Sequence, residues 1–166
     1  MNFEAILSDL KAKKYQPVYF LMGEESYYID FISDYISSEV LNDTEKEFNH
    51  RILYGKDIDV QTIISTAKQF PFMGERMVVI IKEAQQLKKI EQLENYLNNP
   101  HESTILVFCY KYKSLDKRKS IYKTLSKKAV LFESKKLYDN QIPEWIVSYL
   151  SCKQYKIGHK ATHLIA

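Results

Sequence analysis

The chain has 166 residues, 45% of them hydrophobic and 27% charged, which suits one globular domain with a sizeable core and a small appendage. The net charge of +3 singles out no class of partner, but residues 111–136 hold ten Lys or Arg against two acids, Asp116 and Glu133, leaving about −5 for the remainder. Only two cysteines occur, Cys109 and Cys152, with no metal-ligand spacing, and no apolar window reaches membrane-spanning length, so a reduced, soluble, cytoplasmic protein without metal or cofactor is expected.

In chain order, Phe3 to Lys13 reads as a helix and Val18 to Met22 as a buried strand. The period changes at Gly23, after which Tyr28, Phe31, Ile32 and Tyr35 recur at helical spacing. A second strand is expected at Phe48 to Leu53; Gly55 and Asp57 then open a helix with Ile58, Ile63, Ile64 and Ala67 on one side, and Pro71 stops it. Met77 to Ile81, "MVVII", is a third strand, followed by a polar helix ending near Pro100. A strand at Thr104 to Tyr110, a Lys-rich helix from Ser114 to Ser126 and a short strand at Ala129 to Phe132 complete the pattern.

Five apolar strands alternating with helices are what a parallel sheet covered on both faces requires, so the fold class is a three-layer α/β domain, and the motifs below point to the P-loop-NTPase-like type. From Leu137 onward the pattern is helical only, with two stretches joined near Gly158. The expected division is an α/β domain over residues 1–138 and the truncated beginning of a helical domain over 139–166.

The junction "PVYFLMGEESYYIDFISDYI" has the strand-to-helix layout of a phosphate-binding loop, whose chemistry needs several glycines, a Lys and a Ser or Thr. Gly23, Glu24 and Glu25 stand there instead, and two carboxylates at the positive end of a helix repel phosphate. The third strand ends in Lys82-Glu83, where an ATPase needs an Asp to hold Mg²⁺ and a Glu to activate water; a lysine cannot ligate the metal. Both changes together predict an ATPase-type fold without ATPase activity. The alternative, a divergent ATPase or a phosphodiesterase using scattered acids such as Glu83, lacks convergent acids and a Gly-rich loop.

The segment "KQFPFMGERM" puts Phe70, Pro71, Phe72 and Met73 side by side at a connection that should reach the surface. Phe70 continues the apolar stripe of the preceding helix and is expected in the core. Phe72 and Met73, bracketed by Pro71 and Gly74, are expected in an outward turn.

The order of "PVYFLMGEES", "QFPFMGERMVVIIKEAQQLKK", "TILVFCYKYKSLDKRKSIYKTL" and "IPEWIVSYL" resembles the delta subunit family of the bacterial DNA polymerase III clamp loader, over essentially the whole chain. The resemblance implies an AAA+-type domain that does not bind ATP, then a helical lid and a collar domain, of which this chain covers the first and the start of the second. It implies partners in the sliding clamp and, mainly through the collar, the other loader subunits, with DNA contacted indirectly or weakly. Nucleotidyl transfer would belong only to the polymerase holoenzyme and ATP chemistry to sibling subunits. The family uses the loop equivalent to Gln69, Phe70, Pro71, Phe72 and Met73 as a hydrophobic wedge in a clamp pocket, and this pentapeptide resembles the general clamp-binding motif, with Met in a position often held by Phe.

Lys117, Lys119 and Lys123, within the basic segment, are candidates for phosphate contact, although such a run is more often a solvated helix face. His159 and His163 stand four apart on an expected helix but lack a third ligand, which makes them ordinary surface residues.

Overall fold

In a computed structural model, which describes residues 1–166 except for the side chain of Cys152, the five apolar runs form one parallel sheet. Its strands are β1 (Val18–Gly23), β2 (His50–Tyr54), β3 (Met77–Lys82), β4 (Thr104–Lys111) and β5 (Val130–Ser134), in the spatial order β2-β3-β4-β1-β5. The register pairs His50 with Val78, Met77 with Thr104, Val18 with Leu106 and Tyr19 with Val130. Every residue of β1 is buried, as are the first five of β3, because helices cover both faces. The edge strand β2 pairs on one side only and stays partly exposed.

On one face, Ile6 and Leu10 of α1 (Phe3–Lys11) and Ile29, Ile32 and Ile36 of α2 (Ser26–Glu39) pack on Tyr19, Leu21, Val78, Ile80, Ile105 and Val107. On the other, α4 (Val60–Ala67), α5 (Glu94–Asn98) and α6 (Ser120–Lys128) cover the alternate strand positions Phe20, Val79, Ile81, Leu106 and Phe108. Successive strand residues thus feed opposite cores, as the period of two requires.

Five local expectations change. Helix α4 begins at Val60 behind the cap Asp59, so Gly55 and Asp57 do not open it and Ile58 precedes it rather than sharing its face. The buried stripe of α2 runs through Ile29, Ile32, Ser33 and Ile36, whereas Tyr28, Phe31 and Tyr35 flank it. Phe3 of α1 covers that flank, with ring centroids 4.8 Å from Tyr28 and 5.5 Å from Phe31. The strand expected from Phe48 begins at His50, because residues 43–49 form a separate helix, α3 (Asp43–Asn49). Asn42 and Glu45 start α3 with a reciprocal capping box. After β3 the polar stretch breaks into 3₁₀ turns at 84–86 and 90–93 before α5, with Glu83 and Lys89 at φ 53° and 56°. The Lys-rich helix begins at Ser120, not Ser114.

The chain divides into two units, Met1–Ser134 and Lys135–Ala166. The second holds a 3₁₀ turn at Asp139–Gln141, then α7 (Ile142–Cys152), opened by Pro143, and α8 (His159–Ile165), with Trp145 stacked on Tyr149 at 5.1 Å. His159 and His163 approach to 3.2 Å between their Nε2 atoms, and among the described residues no group of three or more His, Cys, Asp or Glu gathers as metal ligands. Among the described residues no helix is long and apolar enough to cross a membrane.

Candidate functional site

The carboxyl ends of the strands bring together the residues of the expected nucleotide site. Gly23 has φ 127°, a conformation that favours glycine, and a Cβ there would collide with the Ser134 carbonyl. Its N–H donates to the carbonyl of Lys113 (3.0 Å), its own carbonyl accepts from the Tyr112 N–H (2.8 Å), and the Glu24 N–H donates to the Ser134 carbonyl (3.3 Å). At the next residue, the Glu25 carboxylate accepts from the Tyr27 N–H at 3.1 Å and caps α2. Three amides of this junction, those of Gly23, Glu24 and Tyr27, are thus spent on carbonyls and a carboxylate of the chain itself.

Lys82, at the end of β3, turns toward α2. Its Nζ donates to Ser33 Oγ (3.1 Å) and lies 3.3 Å from the Asp34 carboxylate and 3.9 Å from that of Asp30, which in turn holds Lys111 Nζ at 2.7 Å. Two lysines and two aspartates neutralise one another across the top of the sheet. Glu83 accepts from the Gln86 side chain at 2.9 Å.

The expected tip lies at the opposite, amino edge of the sheet, since it leads into β3. Helix α4, capped at its start by Asp59, ends at Ala67 with Lys68 as its C-cap, and the buried positions Val60, Ile63 and Ala67 end with it. Phe70 therefore does not enter the core as its spacing suggested. It is 81% exposed, and its ring meets the His101 ring edge-on at 4.8 Å. The residue preceding a proline is disfavoured in helical geometry, and Phe70 precedes Pro71, so the stripe cannot run on to it. Phe72 is 57% and Met73 76% exposed, Gln69 is exposed, and Pro71 is half-buried.

The loop is tied down from α3. Phe48 places its ring 5.3 Å from that of Phe72, and the Asn49 side chain hydrogen-bonds both backbone groups of Phe72. A Cβ on Gly74 would lie 2.7 Å from Glu45 Oε1 and 3.3 Å from Asn49 Nδ2, so the return limb crosses close over α3. Met73 adopts φ 52°, a left-handed conformation costly for a residue with a long side chain and held only where the surroundings enforce it. Sequence reasoning missed Phe48, Asn49 and His101; the Asn42-x-x-Glu45 spacing was the available sign that a helix begins there and ends beside the loop.

In the basic segment Lys117 pairs with Glu133 (3.1 Å), Arg118 with Asp116 (2.8 Å) and Lys119 with Glu91 (2.7 Å). The hydrogen bond from Lys119 holds the Glu91 carboxyl below its ordinary range, and the same contact raises the Lys119 ammonium. Lys123 is exposed on α6. Two of the three candidate phosphate contacts are thus answered by acids of the same chain.

The architecture is shared with solved structures of much lower sequence similarity. A RuvB mutant of Thermotoga maritima superposes with TM-score 0.55 at 18% identity over 98% of this chain and 52% of that one. Domain III of the replication initiation protein DnaA from the same organism gives 0.51 at 10%, over 98% and 73%. At these identities the likeness is one of fold, and it defines the class as an α/β domain built on a five-stranded parallel sheet.

Over residues 19–135 the chain matches the DNA polymerase III delta subunit family, and it belongs to that family of clamp-loader subunits in DNA replication. It is 32% identical over 171 residues to DNA polymerase III subunit delta of Bacillus subtilis (strain 168), covering 96% of this chain and 49% of that protein. The structure of the Bacillus subtilis DNA clamp loader delta protein, YqeN, is similar with TM-score 0.80 at 27% identity, over 98% of this chain and 51% of that one. The chain spans about half the length of these relatives.

Proposed function

We propose that this chain is the clamp-engaging part of a delta subunit, binding the sliding clamp through Gln69–Met73 and helping to open the ring without binding ATP itself. The observation that carries the reading is the tip: Phe70, Phe72 and Met73 are all more than half exposed on a loop whose backbone is fixed by neighbouring elements. Large apolar side chains held outward on a fixed loop suit a preformed apolar pocket, where a few anchors carry most of the binding energy. Phe70 thereby becomes a third anchor beside Phe72 and Met73.

Ring opening needs no chemistry in this chain. A tip that fits the sprung clamp better than the closed one shifts the ring's equilibrium by its differential affinity. The internal hydrogen bonds of Gly23 and Glu24 and the pairing of Lys82 with Asp30 and Asp34 support a junction that serves structure rather than nucleotide. On this reading residues 1–138 form the AAA+-like domain, 139–166 begin the lid, and the protein works in the cytoplasm with the other loader subunits. The acids paired with Lys117 and Lys119 support a solvated face over a DNA contact. The test is a titration of the sliding clamp by calorimetry with wild type and with the Phe72→Ala/Met73→Ala protein; unchanged affinity would remove the basis of the proposal.

A further inference from the structure

Asn49 is the last residue of α3 and 1% exposed. Its carboxamide is used at both ends on one residue of the tip: Nδ2 donates to the Phe72 carbonyl at 2.7 Å, and Oδ1 accepts from the Phe72 N–H at 2.6 Å. Exchange of both bonds is what one antiparallel strand residue offers its partner, here supplied by a side chain to a segment that has no ladder of its own. The Phe72 ring rests near Phe48, and the missing Cβ of Gly74 lets the return limb pass against Asn49 and Glu45. Three features of a short stretch of α3, the two Asn49 bonds and the Phe48 ring, thus converge on Phe72, and the close pass at Gly74 lies two residues further on.

We infer that Asn49 is a positioning residue of the tip. By fixing the Phe72 backbone it sets the directions in which the Phe72 and Met73 side chains leave the loop. It also removes, before any partner arrives, part of the ordering that binding would otherwise require. The inference rests on the tip being the clamp contact, and the two can fail separately.

The experiment has one arm without the clamp and one with it. Amide hydrogen exchange on the full chain should show the Phe72 N–H protected, although it lies outside any helix or strand. In Asn49→Ala the amide of Phe72 should speed up while those of β3 and β4 keep their protection, and clamp affinity should fall about fivefold to tenfold, the worth of one net hydrogen bond or slightly more. Asn49→Leu nearly retains the volume but loses both the donor and the acceptor, and takes the same two measurements if the alanine protein does not fold. An unprotected Phe72 amide in the wild type overturns the inference. So does faster exchange throughout β3 and β4, which would make Asn49 a support of the whole fold, and so does unchanged clamp affinity in a variant whose Phe72 amide has been freed. Normal clamp binding by Phe72→Ala/Met73→Ala overturns the reading of the tip and the inference with it, while the exchange pattern still reports whether Asn49 orders the loop.

Discussion

The two edges of the sheet treat their loops in opposite ways. At the carboxyl edge the backbone groups around Gly23 are bonded to Lys113 and Ser134, and the charges of Lys82 and Lys111 are met by Asp30 and Asp34. At the amino edge the Phe72 backbone is satisfied by Asn49 while Phe70, Phe72 and Met73 face water. A loop whose polar groups are internally spent has little to offer an anion. A loop whose backbone is held and whose apolar side chains are free is ready for a protein pocket. The difference lies in which groups are left over, more than in residue type.

The largest expected effect tests the amino edge. Phe72→Ala/Met73→Ala should cost about 2–4 kcal/mol of clamp affinity by calorimetry, as hot-spot anchors do, with little change in melting temperature. Phe70→Ala should lower clamp affinity as well and leave stability nearly unchanged, in contrast to Ile63→Ala in the core of α4, which should cost about 2–5 kcal/mol of stability. Equal melting temperatures for the Phe70 and Ile63 variants would erase the distinction between tip and core.

At the carboxyl edge Gly23→Ala should destabilise by about 1–3 kcal/mol in denaturant titration, since it combines a positive φ with a collision at Ser134. Unchanged stability would mean that the junction is loose enough to admit other contacts. Lys82→Met should cost less, about 0.5–1 kcal/mol, because its pairs are partly solvated. Neither this variant nor the wild type should gain melting temperature from millimolar Mg·ATP, whereas a tight nucleotide site would raise it by several degrees.

The smallest effect concerns His50, which follows Asn49 and hydrogen-bonds Ser37 at 2.9 Å. Burial first, then Lys46 and Arg51, hold its imidazole below the ordinary value of 6.5. The folded chain therefore binds this proton more weakly than the unfolded one. The contribution is complete above pH 6.5 and is lost as pH falls through the lower folded value. A His50→Asn protein should show a flatter stability profile from about pH 6.5 down to about 5, above the carboxylate range; parallel profiles would show that this edge is indifferent to the imidazole.

The strands were legible because "MVVII" and "TILVFCY" are buried on both faces and need no partner's identity to be recognised. Helix α3 was not, since its seven residues offer little apolar period and only a capping box. Phe70 misled because it stands three residues after Ala67, where a continuing helix would bury it; the C-cap at Lys68 intervenes. The residue types at Gly23, Glu24 and Lys82 spoke against phosphate. The carbonyls and carboxylates that occupy their donors lie far along the chain and have no local signature. Asn49 and Phe72, 23 positions apart, meet only through the fold.

The closure over Gly23 also limits redesign. Writing a Gly-rich, Lys-containing loop into residues 23–26 would supply the vocabulary of a phosphate site without all of its free donors, because the carbonyls of Lys113 and Ser134 would still occupy the amides of residues 23 and 24. The end of β5 would have to be released first, at a cost in stability and with no immediate return in binding. A route by single substitutions would therefore face a valley at this junction.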